Sequence, residues 1–280
     1  MAYLPVGAVA SYRVKRAALV TPFDPALIHA LNITTVGHEQ IGSGSADHAV
    51  LQTSTIAALL DGRYDGDVTV GELLKEGDLG VGTLNGLDGE LTIVDSQAWQ
   101  VGVDGAVRRV SDGELTPFAA VVRFSCDEVI KIDSPLINSE LHDLLREHAP
   151  RASGCEALRI DGLFSRIHAR SVPRQSPPYR GLVEVAAQQV EWTFHDLEAT
   201  VVGFRFPDCA SGVGVVGDHL HFISSDRRCS GHVLGCDVTS GELRIEAVDT
   251  LRIELPTGIV LPDPSTPNND GEISRFEAEG

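Results

Sequence analysis

The chain has 280 residues, 42% of them hydrophobic, with 22 Lys and Arg against 40 Asp and Glu and a formal charge of -18 at pH 7. This length allows one large domain or two smaller ones. The negative charge argues against nucleic acid or anionic lipid as a partner, and the lack of an uncharged apolar run of about 18 residues excludes a membrane-spanning helix.

The first half of the chain predicts short helices followed by strands. Residues 1–47 are interpreted as a partly ordered leader without chemistry. A short helix is predicted over residues 54–60, and Thr69 with Glu72 forms a capping box for a helix over residues 70–76 that ends at Gly77. Alternating apolar residues then predict strands, over residues 90–94, 98–103 and 119–124.

A helix is predicted next, with Ser134 as its cap and Pro135 in its first turn, running to His148. The break at residues 149–154 is taken as a domain boundary. We therefore expect an N-terminal mixed-sheet domain over residues 48–150 and a C-terminal antiparallel meander over residues 151–280.

The second half is predicted to be mostly strands. A long strand is expected over residues 157–171, and shorter ones follow, over residues 200–206, 219–223, 232–238 and 242–247. Prolines and asparagines make the segment 255–270 too irregular for a packed element. Together the elements predict an α+β fold of two subdomains, built on mixed or antiparallel sheets with a few short helices.

Three histidines in the C-terminal part have the spacing of a metal site on a β-hairpin. Residues two apart in a strand share a face, so His219 and His221 project together. A reversal at residues 225–228 would bring His232 opposite His221. Three imidazoles leave a coordination position open, as in catalytic zinc sites. The plain alternative is a polar hairpin that happens to carry three histidines.

Two other groups of charged residues have no clear role on spacing alone. Arg166, His168 and Arg170 share one strand face and form a basic stripe, for which pairing with surface acids is the favoured interpretation. Asp88 and Glu90 lie in a glycine-rich turn and its strand, and most such acids are exposed.

Several segments together resemble the bacterial acetolactate decarboxylases, in the same order and over residues 48 to the C-terminus. The segments are Ser54-Thr-Ile-Ala-Ala-Leu-Leu-Asp-Gly-Arg-Tyr-Asp-Gly66, Gly82-Thr-Leu-Asn-Gly-Leu-Asp-Gly-Glu-Leu91, Thr116-Pro-Phe118, Arg170-Ser-Val-Pro-Arg-Gln175, Leu182-Val-Glu-Val185, Thr200-Val-Val-Gly-Phe-Arg-Phe-Pro207, Gly217-Asp-His-Leu-His-Phe222 and Asp226-Arg-Arg-Cys-Ser-Gly-His-Val-Leu234. Cys229 and Ser230 depart from the residues usual in the family, and altered packing of the turn is expected there.

The resemblance implies a set of site residues and a reaction. Zn²⁺ would be held by the three imidazoles, of His219, His221 and His232. Glu90 and Arg170 become catalytic candidates, with Thr83 beside them. A C-terminal glutamate would also reach the metal; Glu279 is the first choice and Glu277 the second. The implied partner is a small-molecule substrate, acetolactate, and a homodimer is the family expectation.

The implied chemistry needs no organic cofactor, because zinc can act as the electron sink when carbon dioxide leaves. Arg170 would orient the carboxylate and Glu90 would supply the proton that sets the configuration of acetoin.

Two rival functions keep the histidines. A cupin-like iron oxygenase shares the histidine pattern, although its usual glutamate after the histidine pair is missing and Asp226 is the nearest acid. A non-catalytic metal-binding β protein would need neither Glu90 nor Arg170.

The cysteines bear on the compartment. There are five, Cys126, Cys155, Cys209, Cys229 and Cys236, and they are scattered without a C-x-x-C pair. This odd number and spacing disfavour a disulfide framework and a thiolate zinc site, and they predict a cytoplasmic protein.

Overall fold

The structure, a computed structural model, describes residues 31–42, 48–148 and 154–259. Over these residues the protein is mostly β-sheet with few, short helices, which agrees with the predicted α+β class. The strands in chain order are β1 (Asn32–Val36), β2 (Ala49–Thr53), β3 (Val68–Thr69), β4 (Leu79–Thr83), β5 (Glu90–Val94), β6 (Gln97–Val101), β7 (Val107–Arg109), β8 (Leu115–Thr116), β9 (Phe118–Val122), β10 (Glu128–Ile132), β11 (Cys155–Ser171), β12 (Val190–Phe206), β13 (Gly217–Ser224), β14 (Ser230–Val248) and β15 (Thr250–Glu254). The α-helices are α1 (Ile56–Leu60), α2 (Val70–Glu76), α3 (Asn138–Glu147) and α4 (Leu182–Ala186), and short 3-10 helices cover His38–Gln40 and Asp208–Ala210.

The first sheet has eight strands in the order β1-β15-β2-β9-β4-β5-β6-β7. The β15 strand pairs in parallel with β1 and with β2, whereas the remaining neighbours are antiparallel. The sheet is therefore mixed, as predicted. Its strand β1 comes from the segment that we interpreted as a leader, so part of that segment belongs to the fold.

The second sheet has five antiparallel strands in the order β10-β14-β11-β12-β13, and β13 also pairs with β14. Because of this extra pairing, β11, β12, β13 and β14 close on one another. Strand β14 is continuous over 19 residues, although we predicted a break within it. Gly241 lies opposite Gly162, and a Cβ on Gly241 would stand 2.6 Å from the Asp161 carbonyl oxygen, so this glycine permits close strand approach and does not end the strand.

The two sheets exchange elements across residue 150. Strand β10 precedes that position and joins the second sheet, while β15 follows it and joins the first. The division into domains at residue 150 stays a prediction, but the sheets do not follow it strictly.

Helix starts were predicted with mixed success. The capping box of α2 is confirmed, since the Thr69 side chain accepts from the Glu72 amide and the Glu72 carboxylate accepts from the Thr69 amide. The predicted start of α3 at Pro135 is wrong, because Ile137 is its cap. Leu136 instead exchanges backbone hydrogen bonds with Val238 of β14, which holds this stretch extended.

The sheets pack face to face through a buried apolar cluster that includes Val50 and Leu251 of the first sheet and Ala157, Val202 and Phe204 of the second. The opposite face of the second sheet is covered by α3. Side chains on the inner face of the second sheet therefore point toward the first sheet.

No helix in the described ranges 31–42, 48–148 and 154–259 combines the length and apolar character needed to cross a bilayer.

Candidate metal centre

The three histidines lie together on the inner face of the β13–β14 hairpin. His221 is directly opposite His232 in the strand register, as the sequence predicted. The centroids of the three imidazole rings are 5.1 to 5.3 Å apart, and all three residues are buried. Leu220 and Phe222, which alternate with them, face the core under α3. Regular two-residue alternation thus separates the imidazoles from the apolar side chains.

The chemistry of these imidazoles suits a metal ion. One ring nitrogen from each histidine lies within 4.8 Å of the others. The Nδ1–H of His221 donates to the Leu91 carbonyl at 2.9 Å, which leaves Nε2 as the lone-pair nitrogen. That Nε2 atom is buried and makes no hydrogen bond within the described residues. Zinc is bound by imidazole nitrogens in such an arrangement, so the residues present fit the ion.

The surroundings favour neutral imidazoles. Burial lowers the pKa of His219 to about 3, and the positive charge of Arg170 adds to this effect. Burial also holds the pKa of His221 well below its usual value, with the neighbouring His219 as the next cause. Only a deprotonated ring nitrogen can bind a metal, so these rings are in the form that binding requires.

Glu90 reaches the histidines from the first sheet. It is the first residue of β5, is only 7% exposed, and its Oε2 lies 3.6 Å from His221 Nε2. The preceding Gly89 has φ +71°, and a Cβ there would stand 2.1 Å from the Val101 carbonyl oxygen. The Thr83 hydroxyl donates to the Gly89 carbonyl at 2.7 Å. Thr83 therefore supports the turn that carries Glu90, besides lining the same pocket.

Arg170 reaches the histidines from β11. It lies opposite His232 in the register and is fully buried, and its guanidinium donates to Gln189 Oε1 at 3.3 Å. Arg166 and His168, on the same face, pair with acidic side chains nearer the surface. The basic stripe is therefore partly exposed at Arg166 and buried at Arg170. The interpretation as a surface stripe paired with acids applies to Arg166 and His168 only.

A pocket between the two sheets joins these groups. It is lined by polar residues from both sheets, which are Thr83, Glu90, Arg170, His219 and His232, and by an apolar wall of Ile56, Leu59, Leu87, Phe118, Val172, Leu182 and Val215. We did not predict this wall. Its α1 and α4 residues fall in segments that carried the family resemblance, which was the one signal available for them.

The sequence offered three further candidates, the two C-terminal glutamates and Asp226. Glu277 and Glu279 lie outside the described residues. Asp226, the acid nearest to the cupin-like pattern, accepts hydrogen bonds from the Ser224 hydroxyl and the Arg228 amide within the hairpin turn.

Comparison with known proteins identifies relatives of the chain. The alpha-acetolactate decarboxylase family model matches residues 50–259. An alpha-acetolactate decarboxylase of Klebsiella aerogenes is 40% identical over 210 residues, covering 75% of this chain and 81% of the relative, and one of Methylococcus capsulatus is 38% identical over 246 residues, covering 86% and 95%. The crystal structure of alpha-acetolactate decarboxylase from Bacillus subtilis strain 168 superposes with a TM-score of 0.78 at 33% identity, covering 82% of this chain and 99% of that one. The chain belongs to the alpha-acetolactate decarboxylase family and is a carboxy-lyase.

Proposed function

We propose that this protein decarboxylates 2-acetolactate to acetoin and carbon dioxide with a Zn²⁺ ion held by His219, His221 and His232. The observation that carries the proposal is the meeting of Glu90 and Arg170, from different sheets, in the pocket that His219 and His232 also line. A carboxylate, a guanidinium and a metal-binding triad in one small pocket suit a reaction that loses a carboxylate and gains a proton.

When bound, zinc would act as a Lewis acid toward the ketone. The ketone oxygen could then accept the electron pair that remains when carbon dioxide leaves. Arg170 binds the substrate carboxylate by charge-assisted hydrogen bonds and is held in direction by Gln189. The apolar wall on α1 and α4 excludes water around the departing group, which strengthens these electrostatic contacts.

The reaction consumes one proton, because a C–C bond is replaced by a C–H bond as neutral carbon dioxide leaves the anion. Glu90 is the group placed to hold that proton and deliver it to the carbon that carried the carboxylate. Its position on one wall of the pocket gives the proton a single direction of approach, so one configuration of acetoin should dominate. Thr83 keeps the turn before Glu90 in place through the Gly89 carbonyl.

Three finer points belong to the proposal. A C-terminal glutamate, Glu279 or Glu277, would close the pocket, and a homodimer is expected from the family. All five cysteines are free thiols, which is compatible with the expected cytoplasmic location.

One assay tests the function. Zinc-loaded protein is incubated anaerobically with racemic 2-acetolactate, and acetoin, its handedness and carbon dioxide are measured. We expect equal amounts of the two products and one predominant acetoin enantiomer. Conversion only after air is admitted to the same mixture, with oxygen uptake, would instead establish the cupin-like oxygenase. No conversion of acetolactate with or without air would leave the family fold with another substrate.

A further inference from the structure

A second group of metal-ligand residues lies outside the pocket. His38 belongs to the 3-10 helix after β1, Asp67 precedes β3, and Glu254 ends β15. One ligand atom from each of these three residues lies within 4.8 Å of the others. Glu72, in the first turn of α2, places its Oε1 3.6 Å from His38 Nε2, while Asp67 Oδ1 lies 3.9 Å from His38 Nδ1. Four separate segments thus bring one imidazole and three carboxylates together.

One nitrogen of this group is shielded from water and left without a hydrogen bond. Within the described ranges the Nδ1 atom of His38 makes none. Glu254, which faces it, is 2% exposed, and its Oε2 accepts a hydrogen bond from the Thr53 hydroxyl at 2.8 Å. A shielded imidazole nitrogen left in this way costs free energy, which a bound cation would recover.

The charges around the group also favour a cation. With a neutral imidazole its formal charge is -3, from Asp67, Glu72 and Glu254. The nearby guanidinium of Arg252 is bonded to Glu76 at 2.6 Å, so it is engaged with another acid.

We propose that His38, Asp67 and Glu254, with Glu72 at the rim, form a second divalent-cation site that fastens the segment 31–42 to the first sheet. Mixed imidazole and carboxylate ligands favour Zn²⁺ or Mn²⁺ over Ca²⁺ and Mg²⁺, which prefer oxygen ligands alone. His38 lies outside residues 50–259, the part matched by the family model, whereas Asp67 and Glu254 lie inside it. The cation would therefore tie a segment beyond the family match to the family fold.

The competing explanation is a simple ion pair between a protonated His38 and the surrounding acids. Metal stoichiometry separates the two, because an ion pair takes up no zinc. The test uses full-length protein stripped of metal by a chelator and titrated with Zn²⁺ by equilibrium dialysis. We expect two zinc ions per chain in the parent and one in each of the variants Glu254→Gln and His38→Ala, with binding at the second site weakened more than tenfold. Acetolactate turnover should be unchanged in both variants.

The matched control is Glu39→Gln, which removes an exposed acid from the same 3-10 helix but not from the cluster, and should keep two ions. His38 is 41% exposed, so His38→Ala tests the site even if Glu254→Gln fails to fold. Zinc stoichiometry in His38→Ala equal to that in Glu39→Gln would overturn the proposal. If the parent binds only one ion, loss of that ion in His38→Ala supports the second site. Loss of that ion in His221→Ala but not in His38→Ala overturns the proposal.

Discussion

The second sheet and the first sheet reach the pocket by different kinds of structure. The second sheet carries the imidazoles on long, regularly paired strands, β13 and β14, whose register sets their spacing. The first sheet brings Glu90 on the five-residue strand β5, after a glycine turn with positive φ. The geometry of the imidazoles therefore depends on strand pairing, while the position of the Glu90 carboxylate depends on one turn and on the packing between the sheets. Substitutions should be able to separate metal binding from proton delivery.

The largest effect is expected from the second sheet. His221→Ala should lose zinc and turnover together, with a fall in kcat on the order of 10³-fold or more, because the Lewis acid is worth several kcal/mol to the reaction. Metal analysis and acetoin release on the same sample measure both. Zinc retained near the parent level would show that His221 is not a ligand.

The second largest effect is expected at Glu90, the pocket acid of the first sheet. Glu90→Gln should keep zinc but lower kcat by about 10² to 10⁴-fold, which is the usual contribution of a positioned proton donor. Asp88→Asn, in the same turn but partly exposed and paired with Arg174, is the matched control and should stay near the parent rate. An unimpaired Glu90→Gln enzyme would remove Glu90 from the proton transfer.

A substitution of Arg170 tests the part of the second sheet that is not proposed to hold the metal. Arg170→Lys keeps the charge but loses the fork of donors, so kcat/KM should fall on the order of 10 to 100-fold with zinc retained. Arg166→Lys, on the same strand face and paired with Asp237, provides the control. Equal rates in the two variants would place the carboxylate elsewhere in the pocket.

A smaller effect is expected where the sheets meet near His48. Glu246 of β14 is fully buried, and burial raises its pKa to about 7, opposed by the Ser125 amide and by His48, whose Nδ1 lies 3.2 Å away. Between about pH 4.5 and 7 the folded carboxyl keeps a proton that the unfolded chain has lost, so this group's stabilisation is full at the acid end and is lost as pH rises. A glutamine does not ionise, so Glu246→Gln should remove this pH-dependent loss of stability. The free energy of unfolding should rise at pH 8 by about 2 kcal/mol relative to the parent, with little difference at pH 5.

Urea unfolding of parent and variant from pH 5 to pH 8 measures this difference. Glu198→Gln, at an exposed position of β12, should follow the parent at every pH. A Glu246→Gln curve parallel to the parent's would mean that this carboxyl is already ionised in the folded protein at pH 5.

The first and second sheets also differ in how far the sequence could predict their parts of the pocket. The opposition of His221 and His232 depends on alternation and one turn, which are local, and so does the capping box of α2; both are confirmed. The burial of Arg170 depends on cover from the first sheet, which no spacing within β11 reveals. The start of α3 was misplaced because Leu136 is held by a strand about 100 residues away. For Glu90, only the family resemblance separated a pocket acid from an ordinary turn acid.

The hydrogen bond from His221 to the Leu91 carbonyl couples this imidazole to β5. Leu91 follows Glu90 directly, so the peptide unit that steadies the imidazole is continuous with the residue that carries the acid. A shift of β5 would move both together and largely preserve their separation. Sequence changes in the surrounding loops can then alter the shape of the pocket entrance while the distance between the Glu90 carboxylate and the His221 ring is kept.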